Sequence, residues 1–113
     1  MIDAPWRKRA RGTVDYIDKD ELAAEVQKCI SNGRQASDKL ASMFILISSN
    51  MLKARNFSNY SDEVKDEMKS YAQYKFMKSM ATVDLSKAKN IFNYYSRLTY
   101  LAFLTALAKW KRH

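Results

Sequence analysis

The sequence predicts an all-α fold, a compact bundle of about four helices that follows a basic flexible arm. The chain has 113 residues, the size of one domain, and 47% of them are hydrophobic, which is enough to form a core. It contains only 2 Gly and 1 Pro, a poor supply for the many turns of a β-sandwich or barrel. Apolar residues instead recur at helical spacing in four segments.

Residues 1–18 are predicted to form the arm, and residues 19–113 a single helical domain. Pro5 and Gly12 interrupt the arm, and the basic run at 7–11 carries no apolar periodicity. Arms of this kind usually become ordered only against phosphate. A tail that affects solubility alone is the alternative.

The first helix is predicted to begin near Asp20, with Asp18 or Asp20 as its N-cap, and to end at Asn32 and Gly33. One stripe at helical spacing should face the core: Leu22, Val26, Cys29 and Ile30.

Ser37 is the expected N-cap of the second helix, which should run to about Arg55. Its core stripe comprises five apolar residues: Leu40, Met43, Phe44, Ile47 and Met51. Residues 43–47 are apolar on nearly every side, which is typical of a helix sandwiched between others.

The third helix should start behind Ser61 and cover residues 62–81, with apolar residues at intervals of four: Val64, Met68, Ala72, Phe76 and Met80. Four acidic residues fall between positions 62 and 67, where the helix dipole favours them. A capped, solvated face explains these acids as well as a binding site does.

After a loop at 82–90, the fourth helix should run from about Asn90 to the C-terminus. It has more apolar rows than a small domain can cover, so part of this surface should face a partner. Aromatic residues interleaved with Arg97 and Lys109 suit stacking on unpaired bases. A closed core or a dimer seam would use the same residues equally well.

Charge and rare residue types exclude several classes of function. The net charge is +8, and residues 85–113 carry six basic residues and no acid, which suggests a polyanionic partner. One Cys (Cys29) and one His (His113) argue against a disulfide framework, a metal site or a nucleophile–base pair. With no phosphate-binding loop or carboxylate pair either, we expect no enzyme, no cofactor and no metal. We also expect no signal peptide and no membrane span, hence a reduced, intracellular, soluble protein.

Four segments in succession resemble the late-transcription sigma factors of T-even-type tailed phages: Phe57–Tyr60, Lys65–Met68, Asn90–Tyr95 and Ala102–Phe103. More distantly, they are similar to region 2 of the bacterial primary sigma factors. The resemblance covers residues 20–112 and rests on the order of the parts. It implies a sigma region 2-like bundle.

The resemblance also implies two binding surfaces. The third helix would bind the clamp helices of the largest subunit of bacterial core RNA polymerase through Glu63, Asp66, Glu67, Ser70, Tyr71, Gln73, Tyr74 and Met77. The fourth helix and its flanks would hold the melted non-template strand of promoter DNA through Lys87, Lys89, Asn93, Tyr94, Arg97, Lys109, Lys111 and Arg112. The chain departs from bacterial sigma factors at Ser70-Tyr71, where they carry Gln-Glu, and at Arg97-Leu98, where many carry two Trp.

The function implied is that of a phage-type sigma factor that directs host core polymerase to AT-rich late promoters in the cytoplasm of the infected bacterium. Nothing after Trp110 resembles the sliding-clamp tail of the phage family, and the need for a phage co-activator stays open. Two alternatives remain. One is an anti-host factor that occupies the sigma site of the polymerase, and the other is a small helical DNA-binding protein that oligomerises.

Overall fold

Four α-helices make up most of the described chain, which in the computed structural model comprises residues 7–9, 15–86 and 90–111. The helices are α1 (Lys19–Ser31), α2 (Asp38–Met51), α3 (Asp62–Ser79) and α4 (Ile91–Lys111). The α3–α4 pair has the most extensive packing. The predicted all-α bundle of four helices is confirmed.

Two short strands precede the bundle, and the sequence did not predict them. β1 (Arg7–Arg9) pairs antiparallel with β2 (Asp15–Ile17), with Arg7 opposite Ile17. β2 lies against α2, and the Ile17 side chain is buried. The rest of the predicted arm, residues 1–6 and 10–14, lies outside the described residues.

Side-chain caps begin the first three helices, as predicted. The Asp18 carboxylate accepts hydrogen bonds from the N–H groups of Asp20 (2.9 Å) and Glu21 (3.4 Å). Ser37 Oγ accepts from the Leu40 N–H at 3.0 Å, and Ser61 Oγ accepts from the Val64 N–H at 3.3 Å. Each cap satisfies N–H groups that have no partner inside the helix.

Arg34 connects the turn after α1 to the end of α3. The backbone at Gly33 and Arg34 is left-handed, with φ of 75° and 58°. This turn directs the Arg34 guanidinium to the carbonyl oxygens of Met80 (3.1 Å) and Val83 (3.0 Å). A cation thereby stabilises the negative end of α3.

The second helix is shorter than predicted, because α2 ends at Met51 and not near Arg55. The next hydrogen bonds tighten to the third residue back, as in the Ala54 N–H to the Met51 carbonyl (3.0 Å). This change of direction lets both Leu52 and Phe57 reach the core. The local sequence does not reveal where α2 ends, because the early end is favoured by burial of Leu52 and Phe57 against other parts of the fold.

An aromatic cluster joins three helices at the centre of the core. Phe44 of α2 stacks on Phe76 of α3 with ring centroids 4.4 Å apart. Tyr95 of α4 meets both rings edge-on, at 5.9 and 5.4 Å. The Tyr95 hydroxyl lies 3.8 Å from Met80 Sδ. Burial raises the pKa of Tyr95 far above its usual value, and the nearby Tyr94 and Cys29 raise it by smaller amounts.

The predicted core stripes of the first three helices are buried, with only Ile30 and Met51 at their margins. The second helix is sandwiched between others as predicted, since α2 packs against α1, α3, α4 and β2, but one residue of the apolar run is not covered. Ile45 is 45% exposed, because no described element packs over the outer side of α2 at that position. One side chain of the apolar run, Ile45, therefore lies on the surface and not in the core.

A buried carboxylate links α1 to the start of α2. Glu25 is buried, and Ser37 Oγ donates a hydrogen bond of 2.6 Å to its Oε2. Lys39 Nζ lies 3.8 Å from the other oxygen. Cys29 is buried beside this pair and, as predicted, occupies a core position.

Candidate protein-binding and nucleic-acid-binding surfaces

The outer side of α3 carries all eight residues predicted to contact polymerase. Seven of them are exposed, and Tyr71 is half-buried. Opposite residues such as Met68 and Ala72 are fully buried, so the helix itself separates the two sides. We call this set the α3 face: Glu63, Asp66, Glu67, Ser70, Tyr71, Gln73, Tyr74 and Met77.

The chemistry of the α3 face changes along the helix. Its first two turns carry the acids, where Asp66 pairs with Lys69 at 3.6 Å on the surface. Its last two turns carry Tyr74 (54% exposed) and Met77 (57% exposed). A partner that presents a basic end and an apolar end in the matching order would be complementary to it.

Ile45 of α2 extends this apolar end, and sequence reasoning missed it. Ala41 and Ile45 border a small hollow of about 90 Å³ together with Gln73 and Met77 of the α3 face. Large exposed apolar side chains from two helices meet there, which is a common feature of protein-binding sites. The signal in the sequence is the unbroken apolar run of α2, which by itself predicts core positions.

The first turns of α4 place three predicted nucleic-acid contacts on the surface. The Asn90 side chain accepts a hydrogen bond from the Asn93 N–H at 3.1 Å and so begins the helix. Asn93 and Arg97 are exposed, and Tyr94 is half-buried, with its ring 5.4 Å from that of Tyr95. The core thus holds Tyr94 on one side, and the rest of the side chain is partly exposed.

A groove of about 400 Å³ runs between α3 and α4, and Tyr94 and Arg97 line one end of it. Tyr71 and Lys75 of α3 line the opposite wall. Two aromatic rings and two cations therefore share one concave site. Rings offer stacking surfaces and cations offer contacts to phosphate or carboxylate.

The two predicted surfaces meet at Tyr71. Lys109, predicted to bind DNA, holds its Nζ 4.6 Å from the centre of the Tyr71 ring, at cation–π distance. Lys109 and Lys111 are exposed, but they lie about 20 Å along the helix from Arg97 at 1.5 Å per residue. The predicted cations of α4 therefore form two groups, one near each end.

Three predicted DNA contacts cannot be placed. Lys87, Lys89 and Arg112 lie outside the described residues.

No helix of the described residues is long and apolar enough to cross a bilayer. Within the same residues, no group of three His, Cys, Asp or Glu side chains could hold a metal ion.

No protein-family model and no curated protein matches this chain. A functional proposal therefore depends on the chemistry of the chain's own residues and on the resemblance noted in its sequence.

Proposed function

We propose that this protein is a sigma-like transcription factor of the phage type, which acts in the cytoplasm of an infected bacterium. The α3 face, extended by Ile45, binds the clamp helices of core RNA polymerase. The first turns of α4, with the basic residues around it, hold the melted non-template strand of an AT-rich minus-ten element.

One observation carries the proposal: two adjacent helices present surfaces of different chemistry. The α3 face runs from acidic to apolar, and α4 presents Tyr94 and Arg97 beside it. Phe76 of α3 and Tyr95 of α4 pack together in the core, at 5.4 Å, and fix the two helices relative to each other. A partner bound to one helix therefore has a defined position relative to a strand on the other.

The mechanism is electrostatic capture followed by preference for the open strand. Cations such as Arg97 neutralise backbone phosphates, which gives affinity without sequence information. A base that leaves the stack can lodge against Tyr94, at about 1–3 kcal/mol per stacked base. Binding favours melting only by the difference in affinity between the single strand and the duplex. An AT-rich element lowers the cost of opening.

The test separates the two surfaces with paired variants. Tyr74→Ser with Met77→Ser changes exposed residues of the α3 face and should weaken binding to core polymerase at least about tenfold, since two apolar contacts are lost. Binding of the free protein to single-stranded DNA should be unchanged. Tyr94→Leu with Arg97→Gln changes the other surface. This variant should retain polymerase binding and lose promoter-specific run-off transcription.

Lys53→Gln, at an exposed turn away from both surfaces, is the matched control. If the wild-type protein does not bind core polymerase, the proposal is wrong. Polymerase binding without a transcript from any promoter would indicate an anti-host factor.

A further inference from the structure

An exposed row of five residues runs along α4 on the side away from the core. We call it the α4 stripe: Arg97, Leu101, Leu104, Ala108 and Lys111. Successive members are four, three, four and three residues apart, the spacing by which one helix packs along another. All five are exposed, and Leu101 and Leu104 retain 47% and 42% of their surface.

The stripe is apolar in the middle and cationic at both ends. No residue between Arg97 and Lys109 is charged. Thr105, also on the exposed side, satisfies its hydroxyl within the helix by donating to the Leu101 carbonyl at 3.0 Å. The stripe is about 21 Å long, four turns of helix.

We propose that the α4 stripe binds an amphipathic helix of a partner protein, with apolar residues in its middle and acidic residues at both ends. Leu101 and Leu104 would pack against the apolar middle of this helix, and Arg97 and Lys111 would pair with its acids. The α3–α4 groove adds Lys75, a further cation beside the stripe. Complementary charge of this kind selects partners and their register.

Charge disfavours a second copy of this chain as the occupant. In an antiparallel pair, Arg97 of one copy would face Lys111 of the other, and a parallel pair would place each cation beside its own counterpart. Both arrangements bring like charges together at both ends of the contact, which opposes association.

A nucleic acid is also a poor match for the middle of the stripe. From Arg97 to Lys109, about 18 Å, α4 itself carries no cation for a phosphate backbone, although Lys75 of α3 lines the neighbouring groove. The inference goes beyond the proposed function, and the two share Arg97 and Lys111. Its test needs neither polymerase nor a promoter, so each can fail without the other.

The test uses the full chain and three fluorescent synthetic peptides of about 20 residues, long enough for the four turns of the stripe. The first peptide is an amphipathic helix with Leu at alternating three- and four-residue intervals and Glu at both ends of its apolar row. The second has Lys in place of Glu, and the third is the first in scrambled order. Fluorescence anisotropy at low salt should show binding of the first peptide alone.

Three variants, two double and one single, then locate the contact. Leu101→Ser with Leu104→Ser should weaken binding of the acidic peptide by about tenfold or more. Ile45→Ser, which removes an equally exposed apolar side chain from α2, should leave it unchanged. Arg97→Glu with Lys111→Glu should transfer the preference to the Lys peptide, which a merely structural role of these residues would not produce.

Several results would overturn the proposal. These are failure of the acidic peptide to bind, equal binding of the scrambled peptide, and a charge reversal that leaves the preference unchanged. If sedimentation shows a dimer that Leu101→Ser with Leu104→Ser dissociates, the occupant is instead a second copy of this chain. If the same variant loses affinity for a single-stranded oligonucleotide or for anionic phospholipid vesicles, the stripe binds nucleic acid or lipid instead.

Discussion

Two serines begin helices with the same hydrogen bond but in different surroundings. Ser61 Oγ caps α3 and has no other described bond. Ser37 Oγ caps α2 and also donates to the buried carboxylate of Glu25 at 2.6 Å. One hydroxyl therefore satisfies an N–H group and a buried charge at once.

We predict that Ser37→Ala destabilises the protein more than Ser61→Ala does. Loss of a serine cap costs about 1 kcal/mol, which is the expected effect at Ser61. At Ser37 a buried carboxylate also loses its closest donor, and the total should reach about 2–3 kcal/mol. Urea unfolding of both variants measures the free energy of unfolding. Equal losses at the two sites would show that the bond to Glu25 adds nothing.

At the scale of elements, α2, α3 and α4 pack together around the side chain of Tyr95. Tyr95 is fully buried between Phe44 and Phe76, and burial raises its pKa well above the usual value. The unfolded chain releases this proton near the ordinary tyrosine pKa of about 10. The folded chain holds it to higher pH, so the contribution of Tyr95 to stability is complete below pH 10 and is lost as the pH rises above it.

We therefore predict that the wild-type protein loses stability relative to Tyr95→Phe above pH 10. The relative loss should approach about 1.4 kcal/mol per pH unit, because only the wild-type unfolded state gains from ionising this group. Urea unfolding of both proteins at pH 8, 10 and 11 measures it, with pH 8 as the baseline. A difference that stays constant from pH 8 to pH 11 would contradict the prediction.

At the scale of the whole molecule, the charge is unevenly distributed. The chain carries +8, but the α3 face begins with acids, whereas Lys109 and Lys111 lie at the end of α4. Lys28 and Lys53 are also exposed, on other parts of the surface. Two double variants can therefore lower the net charge equally, to +6, at different places.

We predict that Lys109→Gln with Lys111→Gln reduces the salt dependence of single-strand binding, while Lys28→Gln with Lys53→Gln does not. Each phosphate contact contributes about 0.7 to the slope of log affinity against log salt concentration, so the first pair should lower the slope by about 1.4. Titration of a short oligothymidylate at several salt concentrations measures it. Equal slopes for the two variants would mean that only the total charge matters.

The candidate site was partly predictable from the sequence. Helical periodicity placed the α3 face on the surface, because alternate sides of a helix must differ when one side is buried. The periodicity did not reveal that Ile45 is exposed, since an apolar run does not indicate which of its residues stays uncovered. Nor did it reveal that Lys109 lies over Tyr71, because a contact between residues so distant in sequence depends on how α3 and α4 pack.

The sequence by itself determined where helices begin and which side of each turns inward. Ser37 and Ser61 cap their helices through hydrogen bonds to residues only three positions away. The buried side of α3 follows from the helical repeat alone. Only the tertiary structure decided where α2 ends and that Leu101 and Leu104 stay uncovered. Caps and periodicity are local properties of the chain. Coverage depends on which elements pack against each other, and therefore on the whole fold.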